Sequence, residues 1–496
     1  MLAAVPVPDE DPAMPPQVRV RNGALSGSWE SDVAVFRGIP YAAPPVGAHR
    51  FGAPQPADDW DGVRPAVAFG PPVPQSDAFG RGAPPATGDD WLTVNVWSPT
   101  PDPAARLPVL VWIYGGGYTV GMASWPEYDG GHLARDGNVV LVTFNYRLGL
   151  EGFGALAGVP ANRGLLDQVA ALEWVRDNVT AFGGDPDRVT IFGESAGGGS
   201  VAALLTMPRA AGLFRGAVAQ SVPGAFFTPA LATAVATACA AEIGLEPTVA
   251  DLADVDPALL ARTADPVTAG PPAYESMLFA PVVDGDVLPA TPWQALAAGA
   301  ARDVVLLAGH TRHEQRLFSL INGVLGRVTP EQAAAALDTL APEGARRYRD
   351  AFPDAGAEEL YELVHSDWLF RMPTVHLADA HTGRTYLYEL TWPAPGMGGV
   401  LGACHGLDVP LVFGNLTSGG PAALLGDEPG PDAADLSARM RAAWTRFATA
   451  GDPGWPAYDP GSQLTRIFDV PGDVAPYPEQ HSRQIWQHHL FAPLGQ

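Results

Sequence analysis

VTIFGESAGGGSVAALL, residues 189–205, runs from a short β-type segment through a glycine-bounded serine into a helix-forming segment. At its centre stands Gly193-Glu194-Ser195-Ala196-Gly197, a G-x-S-x-G motif. Between a strand and a helix, this motif marks a sharp turn that lifts a serine hydroxyl off the end of a sheet. The glycines are needed because the turn is tight and a side chain there would meet neighbouring backbone. The helix that follows points its N-terminus at the serine, which favours negative charge developing there. Ser195 is therefore the candidate nucleophile. An idle serine in a structural glycine turn is the bland alternative.

Working outward, further apolar runs read as strands buried on both faces: VLVWIYG (109–115), VVLVTFNYR (139–147) and VVLLAG (304–309). Each is short and rich in β-branched residues, as strands of a parallel sheet covered on both sides should be. Between them, Val169, Leu172 and Val175 recur at three-residue steps, predicting a helix over 167–178. Strand and helix signals that alternate imply an α/β fold with a mostly parallel sheet flanked by helices. VRVRNGALSGSW (18–29) carries a hairpin signal at Asn22-Gly23, expected as an antiparallel addition to that sheet. Gly/Pro-rich stretches at 70–88, 268–273, 393–403 and 417–431 read as surface loops. No repeat or interdomain linker interrupts the chain. The expectation is a Pro-rich tail over 1–17 and one domain over 18–496, with loops and helical insertions forming a cap.

Tyr114-Gly115-Gly116-Gly117-Tyr118 follows the strand at 109. Consecutive glycines let backbone N–H groups approach a ligand closely, as an oxyanion hole requires. The N–H groups of Gly116, Gly117 and Ala196 are the candidate donors. A Walker-type phosphate loop needs a lysine, and the chain has none.

The acid and the histidine should follow the serine in that order. Strand 304–309 runs into His310-Thr311-Arg312-His313-Glu314, which makes Glu314 the candidate acid. Asp284 and Asp286 read instead as a turn. The same short run could suggest a metal site, but no second ligand cluster accompanies it. Histidines after Glu314 are His365, His376, His381, His405, His481, His488 and His489. His405, in Gly402-Ala-Cys-His-Gly406, sits in a glycine-flanked loop suited to presenting a ring.

Composition narrows the partners. Of the 496 residues 47% are hydrophobic, enough for a large core and unlike a disordered chain. The net charge of −25 repels phosphate backbones and anionic headgroups, so neither nucleic acid nor a membrane surface is expected as a partner. All 29 basic residues are arginine, which with abundant Ala, Gly and Pro suggests a GC-rich bacterial gene. No signal peptide or membrane span is apparent, and Cys239 and Cys404 have no paired or metal-type spacing. The default expectation is a soluble cytoplasmic protein with two free thiols; the sequence leaves its oligomeric state open, with a monomer favoured.

The chain resembles the type-B carboxylesterase family, which includes bacterial para-nitrobenzyl esterases and the cholinesterases and has the α/β-hydrolase fold. The blocks that carry the resemblance are FRGIPYAAPPVGAHRF (36–51), LTVNVW (92–97), WIYGGGY (112–118), NYRLGLEGF (145–153), the run from Asn162 through Gly199, FAPVVDGD, HGLDVPLVFG and FATAGDPGWPAY. Their order spans nearly the whole chain. The resemblance implies a carboxylic ester hydrolase with a triad of Ser195, Glu314 and His405, an oxyanion hole of Gly116, Gly117 and Ala196, and support from Ser221 near the acid. It places Tyr118, Leu317 and Phe318 at the acyl or alcohol pocket, though core packing would explain them as well. It implies a small-molecule ester as substrate and no metal or cofactor. It also pairs Arg37 with Asp89 as a structural ion pair. Trp91 stands where the family usually has cysteine, and Gln315 and Val222 replace glycines, which bears on pocket shape. Amide or carbamate hydrolysis by the same triad, or a noncatalytic binding module, are the alternatives.

Overall fold

The structure is a computed structural model that describes residues 14–77, 87–267 and 277–495. Residues 1–13 of the expected tail, 78–86 of the loop at 70–88, and the whole loop at 268–273 lie outside the described residues. The strands in chain order are β1 (Gln17–Val20), β2 (Gly23–Ser26), β3 (Ser28–Glu30), β4 (Val33–Pro40), β5 (Val63–Pro65), β6 (Thr93–Ser98) and β7 (Leu107–Ile113). They continue with β8 (Val140–Phe144), β9 (Gly184–Glu194), β10 (Gly216–Gln220), β11 (Val305–Thr311), β12 (Thr385–Leu390), β13 (Leu464–Phe468) and β14 (Asp473–Pro476).

Eleven of them form one sheet in the order β14-β13-β12-β11-β10-β9-β7-β8-β6-β4-β3. From β8 to β13 every pairing is parallel; the two edges are antiparallel. Every residue of β6, β7, β8, β10 and β12 is buried. That is why β7 and β8 read as continuous apolar runs rather than alternating ones.

The hairpin at Asn22-Gly23 forms, with Gln17 facing Ser26 across it. It does not join the main sheet, as the sequence led us to expect. β2 pairs instead with β5, making a separate three-stranded sheet. A hairpin signal specifies its own turn and register but not the strand at its outer edge, which here comes from nearly 40 residues downstream.

The Arg37–Asp89 pair is also corrected. Arg37 pairs with Glu30, carried on the neighbouring strand β3, and lies 3.7 Å from Asp129, while Asp89 is exposed. Fully buried ion pairs lie elsewhere, one of them on the end of β8. Arg147 meets both carboxylate oxygens of Asp167 at 2.7 and 2.8 Å and ties the end of β8 to the helix Arg163–Asn178. Cys239 and Cys404 are both buried and unpaired. Among the described residues, no helix is long and apolar enough to cross a membrane.

The helix Ala196–Leu204 is buried along its whole length. A Cβ at Gly197 would stand 2.0 Å from Ile113 O, and one at Gly198 2.3 Å from Gln220 O. The glycine run therefore lets this helix lie directly against β7 and β10, which brings its first turn to the end of β9.

Candidate active site

The carboxyl ends of four adjacent strands converge. Gln220 on β10 is in register with Glu194 on β9 and with Gly309 on β11, and Ile113 on β7 is in register with Gly193. The residues just beyond this row are Ser195, Ser221 and the glycine loop 115–117. Crevices at strand carboxyl ends are where open α/β sheets bind ligands.

Ser195 is held at φ 59°, ψ −126°, a conformation that a serine rarely adopts. Its N–H donates to Gln220 O at 3.0 Å, and its carbonyl accepts from Gly199 N at 2.8 Å. Such backbone strain persists only where the surroundings over-determine it, and it clusters at reacting residues.

Glu314 opens the helix Glu314–Ile321 and is fully buried. Its Oε1 accepts from Ser221 Oγ at 2.7 Å and from Thr311 N at 2.9 Å. Its Oε2 meets His405 Nδ1 at 2.5 Å. The acid and histidine loops are stitched together just beside this contact: His313 N donates to Ala403 O at 2.8 Å, and Ala403 N to His313 Nδ1 at 3.1 Å. His310 turns the other way and bonds Tyr477 Oη at 3.0 Å. The side chains of His310, His313 and Glu314 thus go to three separate partners.

Ser195 and His405 face one cavity of about 600 Å³, with Gly115, Gly116 and Gly117 at its floor. Gly116 and Gly117 have φ of 108° and 60°, which the loop can adopt because they are glycines. The N–H groups of Gly116, Gly117 and Ala196 donate to no acceptor among the described residues. Gly116 and Gly117 are half-buried and line the cavity, so their N–H groups are open to a ligand there. Leu317 and Phe318 line the cavity, and Leu369, Phe370, Trp125 and Leu424 add to its apolar wall. Tyr118 does not reach it. That ring is buried behind the serine turn, where a Cβ at Gly199 would meet its hydroxyl at 2.5 Å, and it packs on Phe153 at 4.6 Å.

Glu194, the residue before Ser195, is not among the candidates that the sequence singles out. Its Oε1 lies 3.1 Å from His405 Nε2. The available signal was an acidic residue inside an otherwise small and apolar turn. Burial pushes its carboxyl up to about 8, against the lowering pull of His405. Burial also works against charge on His405, but Glu194 and Glu314 outweigh it and raise the imidazole well above its ordinary value. Burial alone would raise Glu314 too; the charge and hydrogen bond of His405, with the Ser221 hydroxyl, bring it below the usual carboxylate value instead. Asp408 is a third buried carboxylate nearby, held by Gln220 Nε2 and Tyr388 Oη, each at 2.8 Å.

Comparison with known proteins identifies the family. A family model described as the carboxylesterase family matches residues 14–466. The chain is 38% identical to the para-nitrobenzyl esterase of Bacillus subtilis, over 94% of this chain and 97% of that one. It is 34% identical to the phenmedipham hydrolase of Pseudarthrobacter oxydans, over 91% and 97%. Among solved structures, a carboxylesterase from Geobacillus stearothermophilus superposes with a TM-score of 0.85 at 36% identity, covering 95% of this chain and all of that one. With an α/β-hydrolase sheet and relatives of this kind along nearly its whole length, the chain belongs to the carboxylesterase family and is a carboxylic ester hydrolase.

Proposed function

We propose that the chain hydrolyses short-chain or aryl esters of small molecules through an acyl-enzyme on Ser195, with His405 as general base and acid and Glu314 as its orienting carboxylate. The observation that carries this reading is the relay Ser221–Glu314–His405, which ends at the cavity that also holds Ser195. With Nδ1–H held by Glu314, His405 presents Nε2 as the basic nitrogen. Nε2 turns from Glu194 to the Ser195 hydroxyl and takes its proton as Oγ attacks the ester carbonyl carbon. Catalytic hydrogen bonds are often loose before substrate binds. The oxyanion accepts from the N–H groups of Gly116, Gly117 and Ala196. His405 then protonates the departing alcohol oxygen, and repeats both transfers as water attacks the acyl-enzyme. An apolar, aromatic-walled cavity of about 600 Å³ is of the size that takes small-molecule ligands, and supports compact acyl and aryl groups.

Hydrolysis of para-nitrophenyl esters from acetate to palmitate by wild type and Ser195→Ala tests this. Turnover strongest on short chains and lower by about 10⁶-fold in the variant is expected. A variant that keeps near wild-type turnover overturns the assignment. A folded wild type that cleaves matched anilides or carbamates but not esters moves the reading to those carbonyls, and one that cleaves neither moves it to a binding role.

A further inference from the structure

Between the helices Ala357–Ser366 and Met372–Ala380 the chain makes a π-helical turn, Asp367–Arg371, closed by Met372 N on Asp367 O. Wide turns of this kind are rare and are frequently found at functional sites. This one is locked from behind. Asp367 Oδ1 accepts from Arg371 Nε at 2.8 Å and Nη2 at 2.6 Å, and Oδ2 accepts from Tyr348 Oη at 2.7 Å. Arg371 also donates to Ser482 Oγ at 2.9 Å, and Trp486 Nε1 to Tyr348 Oη at 2.6 Å. All five of these side chains are buried.

The turn is also tied to the elements that carry the site. Gly224 N, three residues after Ser221, donates to Leu369 O at 2.7 Å. Gln315 N, next to Glu314, donates to Ser366 Oγ at 3.1 Å, and Arg371 Nη1 donates to Arg312 O at 3.1 Å. Between these ties the turn presents Phe370. Its ring lies 4.3 Å from the His405 ring, centre to centre, tilted by 32°. Phe318 stacks on Phe370 at 5.7 Å and 13°, and stands 5.1 Å from His405.

Building on the triad read above, we propose that this π turn is the positioning element of the catalytic histidine and that Phe370 is its positioning residue. Glu314 fixes one edge of the imidazole; Phe370 fixes one face. Its π cloud stabilises the imidazolium formed each time His405 takes a proton, because a cation over an aromatic face is favoured. The charged groups that face the ring are Glu314 from its helix, Glu194 from β9 and Asp408 from the helix Asp408–Phe413. All three are carboxylates and act in the same direction as the ring.

Phe370→Leu removes the π face and keeps an apolar side chain. On para-nitrophenyl acetate, kcat should fall about 10-fold with KM changed less than about 3-fold, and Phe370→Tyr should recover most of it. The imidazole titration of His405, read by NMR and assigned with His405→Gln, should move to lower pH in Phe370→Leu and stay in Phe370→Tyr. If Phe370→Leu fails to fold, Phe370→Met serves as the ringless variant. A change confined to KM or to acyl-chain preference, with the His405 titration unmoved, overturns the proposal and leaves Phe370 a pocket wall. The NMR titration needs no turnover, so it decides this point even if Ser195→Ala refutes the triad reading.

Discussion

Ser221 Oγ donates to Glu314 Oε1 at 2.7 Å, on the carboxylate oxygen opposite the one that meets His405 Nδ1. Donors from just beyond β10 and from the histidine loop thus take opposite oxygens of one buried carboxylate. Ser221→Ala leaves Oε1 with the Thr311 N–H alone among its two bonds. A hydrogen bond to a charged group is worth about 1.5–3 kcal/mol, so kcat should fall by roughly 10- to 100-fold if the carboxylate loses its alignment. Steady-state kinetics beside a denaturant melt separates that loss from lost stability; unchanged kcat would deny Ser221 a part in aligning the acid.

Glu314→Gln keeps the shape of the side chain while removing its charge and reversing its hydrogen bond to His405. The amide can keep its oxygen towards Ser221 and Thr311 N, which turns its NH₂ towards His405 Nδ1. A donor there favours the tautomer with the proton on Nε2, which cannot accept from Ser195. Loss of kcat by about 10⁴ is expected with the fold intact. Retained turnover would point to another residue as the acid.

The second carboxylate on the ring sets the pH dependence. In the proposed mechanism His405 must be neutral to act as base, and Glu194 and Glu314 raise its pKa above the ordinary value. Activity should therefore rise with pH through a midpoint above about 6.5, the unperturbed histidine value. Glu194→Gln removes the largest of the raising charges, so the midpoint should move to lower pH. A profile of kcat/KM on an uncharged ester reports this for the free enzyme. A midpoint that stays put would mean that Glu194 bears no charge while His405 titrates.

These groups differ in how far the sequence reveals them. Ser195 and the strands around it are local: a glycine-bounded serine between a β run and a helix, and apolar runs that only a doubly covered sheet explains. Glu314 and His405 were narrowed by chain order and loop context, because their meeting depends on the His313–Ala403 stitch, across some 90 residues. Glu194 was visible in the motif, but its contact with Nε2 is a product of how the histidine loop folds back. Phe370 leaves no local mark beyond the Asp367–Arg371 spacing, since a π turn has no periodicity of its own. The Arg37 partner failed for a related reason: the cross-strand Glu30 competes with a family position that this chain leaves exposed.

The glycines of the serine turn have two duties, and Gly197→Ala distinguishes them. At position 197 the new methyl would stand 2.0 Å from Ile113 O, an atom of the sheet backbone that cannot swing aside as a side chain would. The helix Ala196–Leu204 must then lift away from β7. Overpacking of this kind costs about 1–3 kcal/mol, so the protein should still fold but melt earlier. The same lift carries Ala196 N away from the N–H groups of Gly116 and Gly117. Losing one oxyanion donor costs about 10²–10³ in kcat. We expect kcat to fall by that order, well beyond what the stability loss explains at a temperature where the variant remains folded. A variant that melts earlier yet turns over normally would show that Gly197 serves packing alone and that Ala196 is not an oxyanion donor.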